Sequence, residues 1–174
     1  VRDIVSLGLS TRAMHKLKVR QPLDTAEVVL GKTELSERLR PYVPLIAEEL
    51  NVKNIQFTDD AGDRVTFTVK PNYRALGPVF GKRMPMVRKA LDAADPVAVR
   101  IALASVGTYE LTLSDGEVVT LTSELVAVQV KAEDGYAASG GPVGTVILDT
   151  RLTDALLAEG VAREVQSRIQ ALRK

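Results

Sequence analysis

The sequence predicts an α+β fold: antiparallel β-hairpins packed with amphipathic helices, with helices at both ends. Three observations predict it. Apolar residues recur at helical spacing near both termini. Between them lie stretches that alternate apolar and polar with period two. One of these stretches is broken by Asp115-Gly116, a strong short-range hairpin turn signal.

From the N-terminus, Ile4, Leu7, Met14 and Leu17 share a helical face, with Arg12, Lys16 and Lys18 largely off it. Pro22 ends that helix at the latest, because it has no N–H to donate and constrains Gln21. Residues 27–30 read as a short strand stopped by Gly31. Thr33 is placed to cap a second helix with Leu35, Leu39, Tyr42, Val43, Ile46 and Leu50 as its buried face. Pro41 and Pro44 divide or kink it. A hairpin is expected next: NIQFT, the turn DDAGD, then RVTFTVK. After a Gly-rich loop, Met86, Val87, Ala90 and Leu91 suggest a helix that fades by Asp95, and Pro96 opens another over VAVRIALAS. The hairpin YELTL-SDGE-VVTLT follows. Residues 125–131 and 143–149 are two further strands, with EDGYAASGGP as the loop between them. Thr153 caps a last helix whose Leu156, Leu157, Val161, Val165, Ile169 and Leu172 face a core.

With 174 residues, 45% apolar and 26% charged, the chain has the composition of an ordinary globular protein able to bury a core. The absence of Cys excludes disulfides and thiolate metal sites, and the single His15 excludes a multi-histidine site. His15 reads as a surface helix residue or an RNA contact. No apolar run approaches the roughly 18–20 residues of a membrane span, and no membrane partner is expected. The start is not a signal peptide. A first residue of Val and an end inside a helical pattern lead to the expectation of a piece of a longer chain.

Net charge is only +1, yet the charge is polarised. Residues 64–91 hold seven cations and no acid, whereas residues 92–160 hold eleven acids against three bases. Residues 2–23 carry five cations against Asp3. A basic sector of this kind suits an anionic partner such as RNA phosphate, or simply forms a solvated face.

RALGPVFGKRMP (74–85) has the look of a phosphate cradle and fails as one. A P-loop needs four residues between its glycines and a hydroxyl after the lysine. Here Gly77 and Gly81 enclose three, Arg83 stands where the hydroxyl belongs, and Pro78 removes an N–H donor. The segment instead reads as a turn presenting Lys82 and Arg83 at the head of a basic helix. SGGPVG (139–144) leads into a strand, so it is not a dinucleotide fingerprint. Glu48-Glu49 and Asp59-Asp60 read as solvated surface, and no nucleophile has a partnered base. No catalytic residue and no metal ligand is assigned.

Four strings, in order, resemble one family. KVRQPL (18–23), ELNVKNIQF (49–57), KPNYRALGPVFGKRMP (70–85) and LLAEGVAREVQSRIQALRK (156–174) are similar to the C-terminal part of isoleucyl-tRNA synthetase, a class I aminoacyl-tRNA synthetase. The resemblance covers nearly the whole chain. It implies that residues 1–23 are the last helix of the anticodon-binding helical bundle and that 24–174 are a C-terminal α+β junction domain. It implies a non-catalytic segment, because the HIGH and KMSKS motifs of that family do not occur here. No cofactor is expected in the segment, while the whole enzyme would use ATP and Mg. Some members carry a Cys-rich zinc element, and this chain, without Cys, resembles the other type or lacks that part.

Given the resemblance, tRNA(Ile) and the remaining domains of the synthetase are the expected partners, and the cytoplasm the expected location. The anticodon arm would be held by phosphate contacts from Lys82, Arg83, Arg88, Lys89 and Arg74, with Lys16, Lys18 and Arg20 from the N-terminal segment. Tyr73 and Tyr136 are the loop aromatics available to stack on unpaired bases. The alternative is an interdomain scaffold of the same synthetase that scarcely touches RNA.

Overall fold

A computed structural model describes residues 1–30, 33–141 and 143–173 of the chain. In chain order these form α1 (Arg2–Met14), β1 (Leu23–Val29), α2 (Thr33–Leu39), α3 (Val43–Leu50), β2 (Val52–Thr58), β3 (Val65–Pro71), α4 (Tyr73–Phe80), α5 (Met84–Ala93) and α6 (Pro96–Ser105). They continue with β4 (Thr108–Thr112), β5 (Val118–Thr122), β6 (Val126–Ala132), β7 (Tyr136–Gly141), β8 (Gly144–Asp149) and α7 (Asp154–Leu172). The α+β class and the helices at both ends are as expected. Two compact units result: Val1–Thr66 with Lys131–Lys174, and Phe67–Val130.

The first unit is built on a four-stranded sheet of order β2-β1-β8-β7. β8 runs antiparallel to both β1 and β7, while β1 and β2 are parallel and joined through α2 and α3. The inner strands β1 and β8 carry most of the buried apolar residues of the sheet, Leu23, Ala26, Val28 and Val29 on β1 and Val146, Ile147 and Leu148 on β8. Ala26, Val28, Val146 and Leu148 join Ile4 of α1 and Ile46 and Leu50 of α3 in one core. Pro41 and Pro44 divide the second helical stretch as expected, with a 3₁₀ turn at Arg40–Tyr42 between the pieces. Of its expected buried face, Leu39, Ile46 and Leu50 are buried, whereas Leu35 and Tyr42 are exposed. The strand stop at Gly31, the side-chain cap at Thr33 and Pro142 of SGGPVG lie outside the described residues.

In the second unit β4 and β5 form the hairpin foreseen at Asp115-Gly116, with Gly116 at φ +86°. β3 pairs with β6. Helices α4, α5 and α6 bury Leu76, Val87, Leu91 and Val99 against Leu111, Leu121 and Val126. Pro96 opens α6 as expected, and the Asp95 side chain caps it by accepting from Val97 N at 3.0 Å.

Several expectations are corrected. β1 begins at Leu23 rather than residue 27. NIQFT and RVTFTVK are strands but not a hairpin: β2 pairs with β1, and β3 with β6. Period-two alternation specifies a strand and its faces, not its partner. The EDGYAASGGP loop contains a strand, β7, whose Ala137, Ala138 and Ser139 are buried. Small residues there disguise a strand under the usual signature of a loop. RALGPVFGKRMP is not a loop either but α4, a 3₁₀ turn at Gly81–Arg83 and the start of α5. Gly81, at φ +47°, makes the break between the helices. On α1, Ile4 and Leu7 pack on the core as expected, but Arg12 is fully buried and Met14 is 63% exposed, against expectation for those two.

Candidate nucleic-acid interface

The second unit carries five of the eight expected phosphate-binding cations. Arg74 lies exposed on α4 and Lys82 exposed on the 3₁₀ turn. Arg83, beside it, is engaged: Nη1 donates to Glu117 Oε1 at 3.1 Å and Nη2 lies 3.5 Å from Asp115 Oδ2. The Glu117 hydrogen bond raises the Arg83 pKa and fixes its fork on the β4–β5 turn. Arg88 and Lys89 are exposed on α5, and Arg88 is only loosely restrained by Asp92 at 3.9 Å, a solvated pair of little energy. Arg88 and Lys89 line one open groove of about 420 Å³ with Tyr73, Met84, Pro85 and Asp92.

The other three cations belong to the first unit. Lys16 holds a left-handed conformation, φ +56°, in the turn after α1. Lys18 and Arg20 line a groove of about 230 Å³ along α7, where Arg20 lies 3.6 Å from Glu164. Each unit thus offers its own cationic group.

The first unit also contains a joint that the sequence did not disclose. The Arg12 guanidinium donates to four backbone carbonyls: Leu50 at 3.0 Å, Lys18 at 2.9 Å, Gln21 at 3.0 Å and Asn51 at 3.0 Å. Among the described residues no carboxylate is paired with it, and burial pushes its pKa down to about 10. Asn51, left-handed at φ +50°, caps α3 and donates its side chain to Val19 O at 2.8 Å. Arg163 of α7 donates to Asn51 Oδ1 at 2.8 Å. Gln21 donates to Leu156 O at 2.7 Å, and a Cβ on Gly160 would collide with the Gln21 side chain. A signal for Arg12 did exist: residues 4, 8, 11 and 12 fall on one helical stripe, and Gly8 and Thr11 on it are small enough for close packing.

Elsewhere in the first unit Glu27 pairs with Arg64 at 2.8 Å, its pKa raised chiefly by burial. Arg151 bonds Asp149, holding that carboxyl below its ordinary value, and stacks 5.0 Å from the centre of the Tyr136 ring. These carboxylates, on the inner strands β1 and β8, each hold an arginine. Among the described residues no group of three His, Asp or Glu side chains is placed to hold a metal ion. Nor is any described helix long and apolar enough to cross a membrane.

No family model matches the chain. Curated proteins do. Isoleucine–tRNA ligase of Chlamydia pneumoniae is 42% identical over all 174 residues, and that of Chlamydia muridarum 39%. The Chlamydia abortus ligase is 40% identical over 173 residues. The chain is similar along its whole length to one segment of isoleucine–tRNA ligase. It spans 16% of the length of these relatives.

Three of the four strings that carried the resemblance meet at the Arg12 joint of this ligase-like segment. KVRQPL supplies Lys18 O, Gln21 and the first residue of β1; ELNVKNIQF supplies Leu50 O and Asn51; the C-terminal string supplies Leu156 O, Gly160 and Arg163. These strings therefore meet through packing and hydrogen bonds around one buried arginine. The fourth string belongs to the second unit and forms its cationic surface.

Proposed function

We propose that this chain is the C-terminal tRNA-binding segment of an isoleucine–tRNA ligase, helping to hold the anticodon arm of tRNA(Ile). It performs no chemistry of its own; the ATP- and Mg-dependent ligation belongs to other parts of a cytoplasmic enzyme. The observation that carries this proposal is similarity over the entire chain to ligases six times its length, whose name states that they act on tRNA. The polarised charge agrees with it. With Arg83 held by Glu117 and Asp115, the phosphate contacts of the second unit fall to Arg74, Lys82, Arg88 and Lys89. Such contacts give affinity without reading sequence. Within this assignment residues 1–23 end the anticodon-binding bundle while α1 packs on the sheet, and residues 24–174 form the junction domain. Equilibrium binding of tRNA(Ile) to the full-length ligase tests it: Arg88→Glu with Lys89→Glu weakens binding, and unchanged affinity rejects RNA contact by this surface.

A second reading, the interdomain scaffold, is favoured by α7. Of the six residues expected to face a core there, only Leu156 is buried; Leu157, Val161, Val165 and Ile169 form an exposed stripe at four-residue spacing, with Leu172 88% exposed. A stripe of that size on a soluble domain marks a docking face, and the rest of the ligase is the natural occupant. Both roles are compatible, since the stripe and the α4–α5 surface belong to different units.

A further inference from the structure

We infer that the groove between Tyr73 and α5 takes an unpaired nucleotide of the bound RNA, its base stacked on the Tyr73 ring. The inference rests on the tRNA-binding proposal above and adds what phosphate contacts do not require. Residues Pro85, Arg88, Lys89 and Asp92 stand at i, i+3, i+4 and i+7, so they share one face of α5, and that face lines the groove with Tyr73 and Met84. Val87 and Leu91 bury the opposite face.

Tyr73 is 54% exposed, and the backbone just before it is anchored. It follows Asn72, whose side-chain amide donates to Glu124 O at 3.0 Å and whose backbone N–H donates to Leu125 O at 2.9 Å. The anchored backbone sets where the Tyr73 ring emerges, and the exposed ring leaves surface for a base to cover. The remaining sequence-level candidate for stacking, Tyr136, has a face taken by Arg151, and Phe67 carries Arg100 at 5.0 Å. Among the described residues Tyr73 carries no such cation.

An aromatic platform with cations beside it is the arrangement that single-stranded nucleic acid requires: the ring stacks on the base and the cations hold the flanking phosphates. Met84 and Pro85 give the groove an apolar wall, and Arg88 and Lys89 supply positive charge one turn further along α5. Duplex RNA keeps its bases stacked and presents backbone instead. A protein segment is the competing occupant, but one meeting two exposed cations would have to be acidic.

The test uses the full-length ligase and tRNA(Ile) in equilibrium binding at several salt concentrations. Tyr73→Ala is expected to weaken binding about fivefold to a hundredfold, the range seen when one stacked base is lost. Its salt dependence stays that of the wild type, because no charge is removed. Tyr73→Phe retains affinity, and Tyr42→Ala, at an exposed tyrosine of the first unit, changes nothing. If Arg88→Glu with Lys89→Glu weakens binding while Tyr73→Ala does not, stacking is overturned and the RNA-binding proposal stands. If neither change affects binding, both fall. Equal losses for Tyr73→Phe and Tyr73→Ala also overturn stacking, since the hydroxyl would then make the contact. A lowered melting temperature of the RNA-free Tyr73→Ala ligase, with unchanged tRNA affinity, assigns the groove to another protein domain and overturns it too.

Discussion

Arg12 illustrates how one side chain joins three elements without any opposite charge. Its fork donates to carbonyls at the end of α3 and in the stretch leading into β1, two of which, Lys18 O and Asn51 O, also accept a backbone N–H. Lysine brings a point charge that cannot span these directions. We expect Arg12→Lys to lower the stability of the chain by about 2 kcal/mol and Arg12→Met by about 3–5 kcal/mol, measured by urea unfolding. Gly144, at φ +139°, sits against the carbonyl oxygen of Val29, so a Cβ there would run into the backbone of β1. Gly144→Ala is predicted to cost about 2–3 kcal/mol in the same assay. Asp149 gives a pH signature. Arg151 depresses its folded pKa below the ordinary 3.8, so the stability it confers is present above that value and lost as pH falls through the folded pKa. The difference in melting temperature between wild type and Asp149→Asn should therefore be full at neutral pH and vanish in strong acid. Persistence of the difference there would show that Asp149 acts through packing and not charge.

Helices and strands were legible where local chemistry decides them. Pro96 after Asp95, Asp115-Gly116 and Thr153 each mark an element boundary through a cap or a turn, and each lies where expected. Pairing was less legible, because β2 finds its partner across two helices and nothing local in NIQFT records that. β7 was hidden by its Ala, Ser and Gly residues, which leave room for the Leu7 side chain of α1 over Gly141. The stripe on α7 was read correctly as apolar and incorrectly as buried: period reveals a face but not who covers it. This difference makes a prediction. Val165→Asp with Ile169→Asp should leave the stability of the 174-residue chain within about 0.5 kcal/mol, as surface changes do, while Leu156→Ala costs about 2–5 kcal/mol. In the full-length ligase the double aspartate variant should lower the melting temperature, measured by differential scanning calorimetry.

The candidate site was legible in the whole molecule as charge and only partly as residues. The run of cations from Arg64 to Lys89 marked the α4–α5 surface, but sequence could not reveal that Arg83 turns back to carboxylates on a hairpin more than thirty residues further on. Nor could it distribute the eight cations between two units, since the first unit is assembled from both ends of the chain. The central claim is that exposed cations of the second unit hold tRNA by its phosphates. Its most direct test is the salt dependence of tRNA(Ile) binding to the full-length ligase, with Arg74, Lys82, Arg88 and Lys89 all changed to Gln. Each phosphate contact contributes about 0.7–0.9 to the slope of log K against log salt, so the account predicts a slope shallower by about 3. A slope equal to that of the wild type would contradict it.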